Sequence, residues 1–103
     1  ETSNALVDWG ARLMEAMPLY VQLEISRTTA TLDLRSDLAA IRTPTLIIHG
    51  DLDRSVPVSF AAHTAELMPN ARLKRYPEAA HGVFITHAEQ VHRDMLEFIQ
   101  NNE

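Results

Sequence analysis

Apolar and polar positions change their period several times along this chain, and the most ordered stretch begins near residue 36. Thr45-Leu46-Ile47-Ile48-His49 is a nearly continuous apolar run rich in β-branched side chains. A run that is apolar on both faces predicts a central parallel strand covered by helices on each side. Gly50 ends it, and a loop over residues 51–57 follows. Val58, Ala61, Ala62, Ala65 and Met68 then recur at helical spacing, closed by Pro69-Asn70. Residues 71–76 read as a second strand, in which Leu73 and Tyr76 stand beside Arg72, Lys74 and Arg75, a mixture suited to an edge. A loop over 77–82 leads through Val83-Phe84-Ile85 to a last helix over 87–101, with Val91, Met95, Phe98 and Ile99 on one face. Upstream, residues 36–41 predict one or two helical turns capped by Ser36 or Asp37, stopped before Pro44 because the residue preceding a proline is pushed out of the α region.

Residues 36–103 therefore read as strand, helix, strand, helix: a right-handed βαβ crossover in an α/β architecture, with a closing helix. Two parallel strands do not bury both faces of Leu46, Ile47 and Ile48, so this unit predicts the end of a larger sheet. Residues 1–35 are less regular. Leu6, Trp9, Leu13, Ala16, Met17 and Tyr20 fit an amphipathic helix interrupted near Pro18, and residues 28–34 read as a turn-rich connector. The division expected is thus a helical segment over 1–35 and an α/β unit over 36–103. An unpaired strand edge invites association, so a homo-oligomer, or a non-catalytic association module, is one reading of such a piece.

Composition narrows the function classes. The 103 residues, 46% hydrophobic and 22% charged, are those of an ordinary globular chain. Nine basic against 14 acidic residues give a net charge of −5, which provides no basic field for nucleic acid or an anionic membrane. Lys74 and Arg75 are the only adjacent basic pair and are expected to decorate a solvated strand. With no cysteine, disulfides, thiolate metal sites and cysteine nucleophiles are excluded, in keeping with a reducing cytoplasm. No apolar stretch approaches the roughly 18 residues of a membrane span. The chain opens on Glu1 rather than Met, which predicts a processed or recombinant product or a fragment.

Two loops carry candidate chemistry, each at the carboxyl end of a predicted parallel strand. One holds Asp51 and Asp53; the other holds His81 between Ala80 and Gly82. Ligands of open α/β sheets collect outside the carboxyl ends of the strands. The 28 positions from Asp53 to His81 accommodate one helix and one strand, and neighbouring strands lie about 4.8 Å apart. An Asp and a His are thus expected to meet at one edge. A carboxylate accepting from one imidazole nitrogen fixes the tautomer and leaves the other nitrogen as a general base. Small neighbours, Ala79, Ala80 and Gly82, favour close approach of the backbone around His81.

At these residues the chain resembles the α/β-hydrolase superfamily. Pro44-Thr45-Leu46-Ile47-Ile48-His49-Gly50-Asp51-Leu52-Asp53-Arg54-Ser55-Val56-Pro57 is similar to the family's penultimate core strand and acid loop, approached by Asp37-Leu38-x-x-Ile41-x-x-Pro44. Tyr76-Pro77-Glu78-Ala79-Ala80-His81-Gly82 resembles the last strand and histidine loop, and the continuation to His87 is similar to the esterase, lactonase and cofactor-free haloperoxidase-like branches. The resemblance spans about residues 33–101. It implies Asp53 as triad acid and His81 as triad base, Val56, Val58 and Val83 near an acyl or alcohol pocket, and neither cofactor nor metal.

The family also needs a Gly-x-Ser-x-Gly nucleophile elbow ahead of the acid. Gly10, Gly50 and Gly82 are the only glycines and none forms it. The resemblance therefore implies the C-terminal portion of a larger enzyme, with residues 1–35 from a lid or connector. The nucleophile and oxyanion hole would come from an N-terminal part of the same enzyme. The expected activity is serine-type hydrolysis of a small carboxylic ester or lactone, with this chain inactive alone. A haloalkane dehalogenase or epoxide hydrolase, using an Asp in the missing elbow, is the alternative.

The remaining polar residues carry plainer expectations. Asp51 braces its loop, His49 is a packed and hydrogen-bonded strand histidine, and Glu78 is a solvated loop carboxylate. His63 and His92 lie on helix surfaces, and His87 is structural. His81, His87 and His92 are spaced six and five apart, which does not align one helix face for a metal.

Overall fold

Parallel pairing of Thr45–Gly50 (β1) with Ala71–Tyr76 (β2) organises the second half of the chain, in a register that runs from Thr45 opposite Ala71 to Gly50 opposite Tyr76. The computed structural model describes residues 2–102. It divides into two compact units, Glu1–Asp33 and Leu34–Glu103.

In the first unit, Asn4–Ala16 (α1) starts on Ser3, whose hydroxyl accepts from the Leu6 N–H at 3.3 Å. Pro18 opens Leu19–Thr31 (α2). The Gln22 carboxamide donates to the Met17 carbonyl at 2.9 Å, satisfying a group left over at the end of α1. The connector expected from residue 28 begins only after Thr31. Thr29 and Thr31 donate their hydroxyls to the carbonyls of Ile25 and Arg27. This turns side chains that usually compete with helical hydrogen bonding back onto the helix.

The second unit begins with Arg35–Ala40 (α3), whose N-cap is Leu34 with no side-chain cap. Ser36 and Asp37 therefore lie inside the first turn rather than capping it, where Asp37 still complements the helix dipole. The rest follows the order β1, Val58–Leu67 (α4), β2, a single turn Val83–Thr86 (α5), and Ala88–Gln100 (α6). Strand alternation puts Leu46, Ile48, Arg72, Lys74 and Tyr76 on one face of the pair. That face meets α6: Lys74 Nζ lies 3.3 Å from Asp94, the Tyr76 hydroxyl donates to the same carboxylate, and Ile48 packs on the cluster of Tyr76, Ala79, Val83 and Val91. Burial, and then the Asp94 carboxylate, push the Tyr76 hydroxyl up to about 12. The Tyr76 hydrogen bond, then Lys74, hold Asp94 below its ordinary range. Ala61 and Met68, the buried positions of α4 and its C-cap, contribute the rest of the core.

Among the described residues the sheet has only these two strands, and the other edge of β1 is unpaired. An open groove of about 350 Å³ runs beside it, walled by Pro44, Leu46, Ile48, Met95, Phe98 and Ile99. Of the apolar face expected on α6, Val91 is buried whereas Met95 and Ile99 are about half exposed. Phe98, between them, is half-buried. No helix among the described residues is long and apolar enough to cross a membrane.

Val91→Ala should destabilise the second unit by about 2 kcal/mol, from lost apolar burial and the cavity left behind. Met95→Ala, on the same helix but open to solvent, should cost about 0.5 kcal/mol or less. Urea unfolding of this chain reads both; equal costs would contradict the packing described.

Candidate active site

The loop after β1 is shaped by one carboxylate. Asp53 Oδ1 accepts the backbone N–H groups of Ser55 at 2.8 Å and Val56 at 2.9 Å. Its own N–H donates to the Gly50 carbonyl at 3.2 Å. This is the self-bonding turn that short acidic side chains favour. The second oxygen, Oδ2, faces His81 Nδ1 at 2.8 Å. A carboxylate only accepts, so Nδ1 carries the proton, and in the neutral ring Nε2 keeps its lone pair. The Asp53 carboxyl is nearly hidden, 3% exposed, while the His81 ring is 63% exposed. The Val56 N–H, foremost, outweighs the opposing effect of burial and, with His81 and the Ser55 N–H, lowers the Asp53 pKa from 3.8 to about 2. Asp53 is a fixed anion, and His81 offers a directed base to the space in front of the sheet.

Backbone contacts bring the histidine loop there. Asp51 N–H donates to the Tyr76 carbonyl at 3.0 Å, extending the ladder one step beyond β1. Leu52 N–H then donates to the Ala79 carbonyl at 2.9 Å, joining the acid loop to the loop that carries His81. Ala79 is completely buried. The crossing is so close that a Cβ on Gly50 would lie 2.2 Å from the Ala79 carbonyl oxygen and 2.7 Å from that of Ala80. Close approach was expected around Ala79, Ala80 and Gly82. At Gly82 a Cβ would meet nothing within 4 Å, and the position that demands glycine is Gly50. Strand ends that cross tightly show in sequence only as a glycine opposite small residues, here Gly50 and Ala79-Ala80.

The other singled-out residues divide. Val56 is partly exposed beside Asp53, and Val58 is half-buried at the start of α4. Val83 packs in the Tyr76, Ala79 and Val91 cluster. Asp51 braces its loop through a paired ion contact, with Arg75 Nε and Nη2 at 2.7 and 2.9 Å; Arg75 is thus engaged rather than merely solvated. His49 is packed and hydrogen-bonded, its Nε2 2.9 Å from the Val56 carbonyl. His87 stacks on Tyr76 and bonds the Thr86 hydroxyl, a structural placement. Among the described residues no three His, Asp or Glu side chains converge as a metal site.

Residues 15–88 match the family described as the alpha/beta hydrolase fold, and the chain belongs to that family. It is similar to a non-heme haloperoxidase of Rhodococcus erythropolis, 49% identical over 70 residues, covering 67% of this chain and 26% of the relative. It is also similar to a bifunctional esterase/perhydrolase of Acinetobacter calcoaceticus, 39% identical over 70 residues, with 67% of this chain and 25% of the relative covered. Among solved structures, an esterase from Exiguobacterium antarcticum superposes with a TM-score of 0.90 at 26% identity, covering 97% of this chain and 37% of that one. The chain spans about a quarter of the length of the curated relatives named here.

Gly50→Ala should push the Ala79–Ala80 backbone away and separate His81 from Asp53. Chemical-shift changes would then concentrate at residues 77–82, whereas Gly82→Ala should leave the spectrum nearly unchanged. Direct carbon-13 titration of the Asp53 carboxyl should give a midpoint near 2. Because the folded value lies below the unfolded one, the stabilisation from this group is complete above about pH 4 and fades as pH falls towards 2. A midpoint at 3.8 or above would remove the hydrogen-bonded anion from the site.

Proposed function

We propose that this chain is the C-terminal portion of a serine-type α/β-hydrolase acting on carboxylic esters or lactones. Asp53 is the triad acid and His81 the triad base. Residues 1–35 belong to a lid or connector, and an N-terminal part of the same enzyme supplies the serine and the oxyanion hole. The observation that carries the reading is the 2.8 Å contact between a hidden carboxylate and an exposed imidazole at the carboxyl ends of two parallel strands. Membership of the family supports it.

In this mechanism His81 Nε2 removes the proton from the incoming serine hydroxyl as the oxygen attacks the ester carbonyl. Asp53 holds the resulting imidazolium without taking its proton. His81 then gives that proton to the departing alkoxide, leaving an acyl-enzyme. In the second half-cycle the same nitrogen activates water, and the acid is released. Val56 and Val58 lie on the acid loop's exit and would flank the acyl or alcohol group; Val83 supports the histidine loop from below. Relatives named as haloperoxidase and perhydrolase favour a second acceptor at the same step, hydrogen peroxide in place of water, giving a peracid. The setting would be cytoplasmic, as a cysteine-free chain permits.

Hydrolysis of p-nitrophenyl acetate by the complete enzyme tests this. His81→Ala should lower kcat by about 10⁶-fold, and Asp53→Asn by about 10⁴-fold by releasing the wrong tautomer. This chain alone should show no saturable turnover and release nitrophenol no faster than the same concentration of free imidazole. Full turnover by His81→Ala would end the assignment.

A further inference from the structure

His49 touches the acid from the strand side. Its ring sits one residue before the end of β1, 14% exposed, with Nε2 2.9 Å from the Val56 carbonyl and 3.4 Å from Asp53 Oδ2. A carbonyl only accepts, so Nε2 carries a hydrogen. That N–H points at the Val56 oxygen and grazes the carboxylate oxygen that binds His81. Val56 is thereby held from both ends: its N–H donates to Asp53 Oδ1, and its carbonyl accepts from His49. Oδ2 lies between two imidazoles, His81 at 2.8 Å and His49 at 3.4 Å.

We infer that His49 is a positioning residue of this site, acting through Asp53 and resting on the triad reading above. Without the His49 N–H the Val56 carbonyl loses this partner, and the Val56–Pro57 peptide is free to turn. That turn is passed through the Val56 backbone torsions to the preceding peptide, whose Val56 N–H holds Asp53 Oδ1 and is the leading cause of the low Asp53 pKa, so the grip on Oδ1 loosens. Asp53 Oδ2 then swings relative to His81 Nδ1, and the imidazole loses its fixed direction. Displacement of a catalytic group by about 1 Å costs on the order of a hundredfold in rate. The substrate need not touch His49, so binding is spared while turnover falls.

The test compares His49→Gln with His49→Met in the complete enzyme. The two replacements are of similar length, and only Gln offers an N–H. Gln should hold kcat within about threefold, while Met should lower it by roughly 30- to 100-fold with KM nearly unchanged. Equal kcat in the two variants overturns the inference. So does a Met variant that loses its fold while Gln keeps it, since His49 would then serve the fold alone. His81→Ala, measured alongside, separates the failures. Activity surviving in His81→Ala removes the triad reading itself, whereas an inactive His81→Ala beside a fully active His49→Met removes only the role of His49.

Discussion

Gly50 lies against the carbonyls of Ala79 and Ala80, and the geometry at the carboxyl edge of the sheet depends on that crossing. Parallel pairing brings the ends of β1 and β2 to one edge, but strand spacing alone leaves their loops free to diverge. The absent Cβ lets the histidine loop fold across the end of β1, where the Leu52 N–H holds Ala79 in place. Ala79 then sits at the base of the loop within the Tyr76, Val83 and Val91 cluster. The same apolar core that anchors α6 therefore sets the height of His81 above the sheet.

On this platform the electrostatics are simple. Two backbone N–H groups engage one oxygen of Asp53, and the other binds His81 at 2.8 Å with His49 more distant at 3.4 Å. An anion stabilised by fixed dipoles does not reorganise when its partner becomes charged, which suits the role of general base proposed for His81. The exposure contrast fits this division of labour, since the acid is enclosed within its own chain and the base presents its free nitrogen outward. An open apolar groove along Leu46, Ile48, Met95 and Ile99 lies between β1 and α6.

Much of this was legible in the residues. The apolar run of β1, the mixed pattern of β2 and the helical spacing through Ala61 and Met68 are strong periodic signals. Asp53 and His81 were placed at strand ends by topology, with the choice of Asp53 over Asp51 coming from the resemblance of residues 44–57. Three things were hidden for physical reasons. Residues 28–31 stay helical with the Thr29 and Thr31 hydroxyls turned back onto carbonyls instead of competing for the backbone in a turn, a choice that composition does not reveal. The exposure of Met95 and Ile99 depends on what covers α6, not on the period of α6 itself. The engagement of His49 with Val56 depends on the path of a loop, while the strand pattern shows a packed, hydrogen-bonded histidine without naming its partner.

Nitrogen-15 NMR of the His81 ring in this chain at neutral pH tests the pairing most directly. The expected result is a ring protonated at Nδ1, with a low-field Nδ1–H resonance that disappears in Asp53→Asn. A ring carrying its proton on Nε2, or a mixture of tautomers indifferent to Asp53→Asn, would contradict the pairing and the catalytic role built on it.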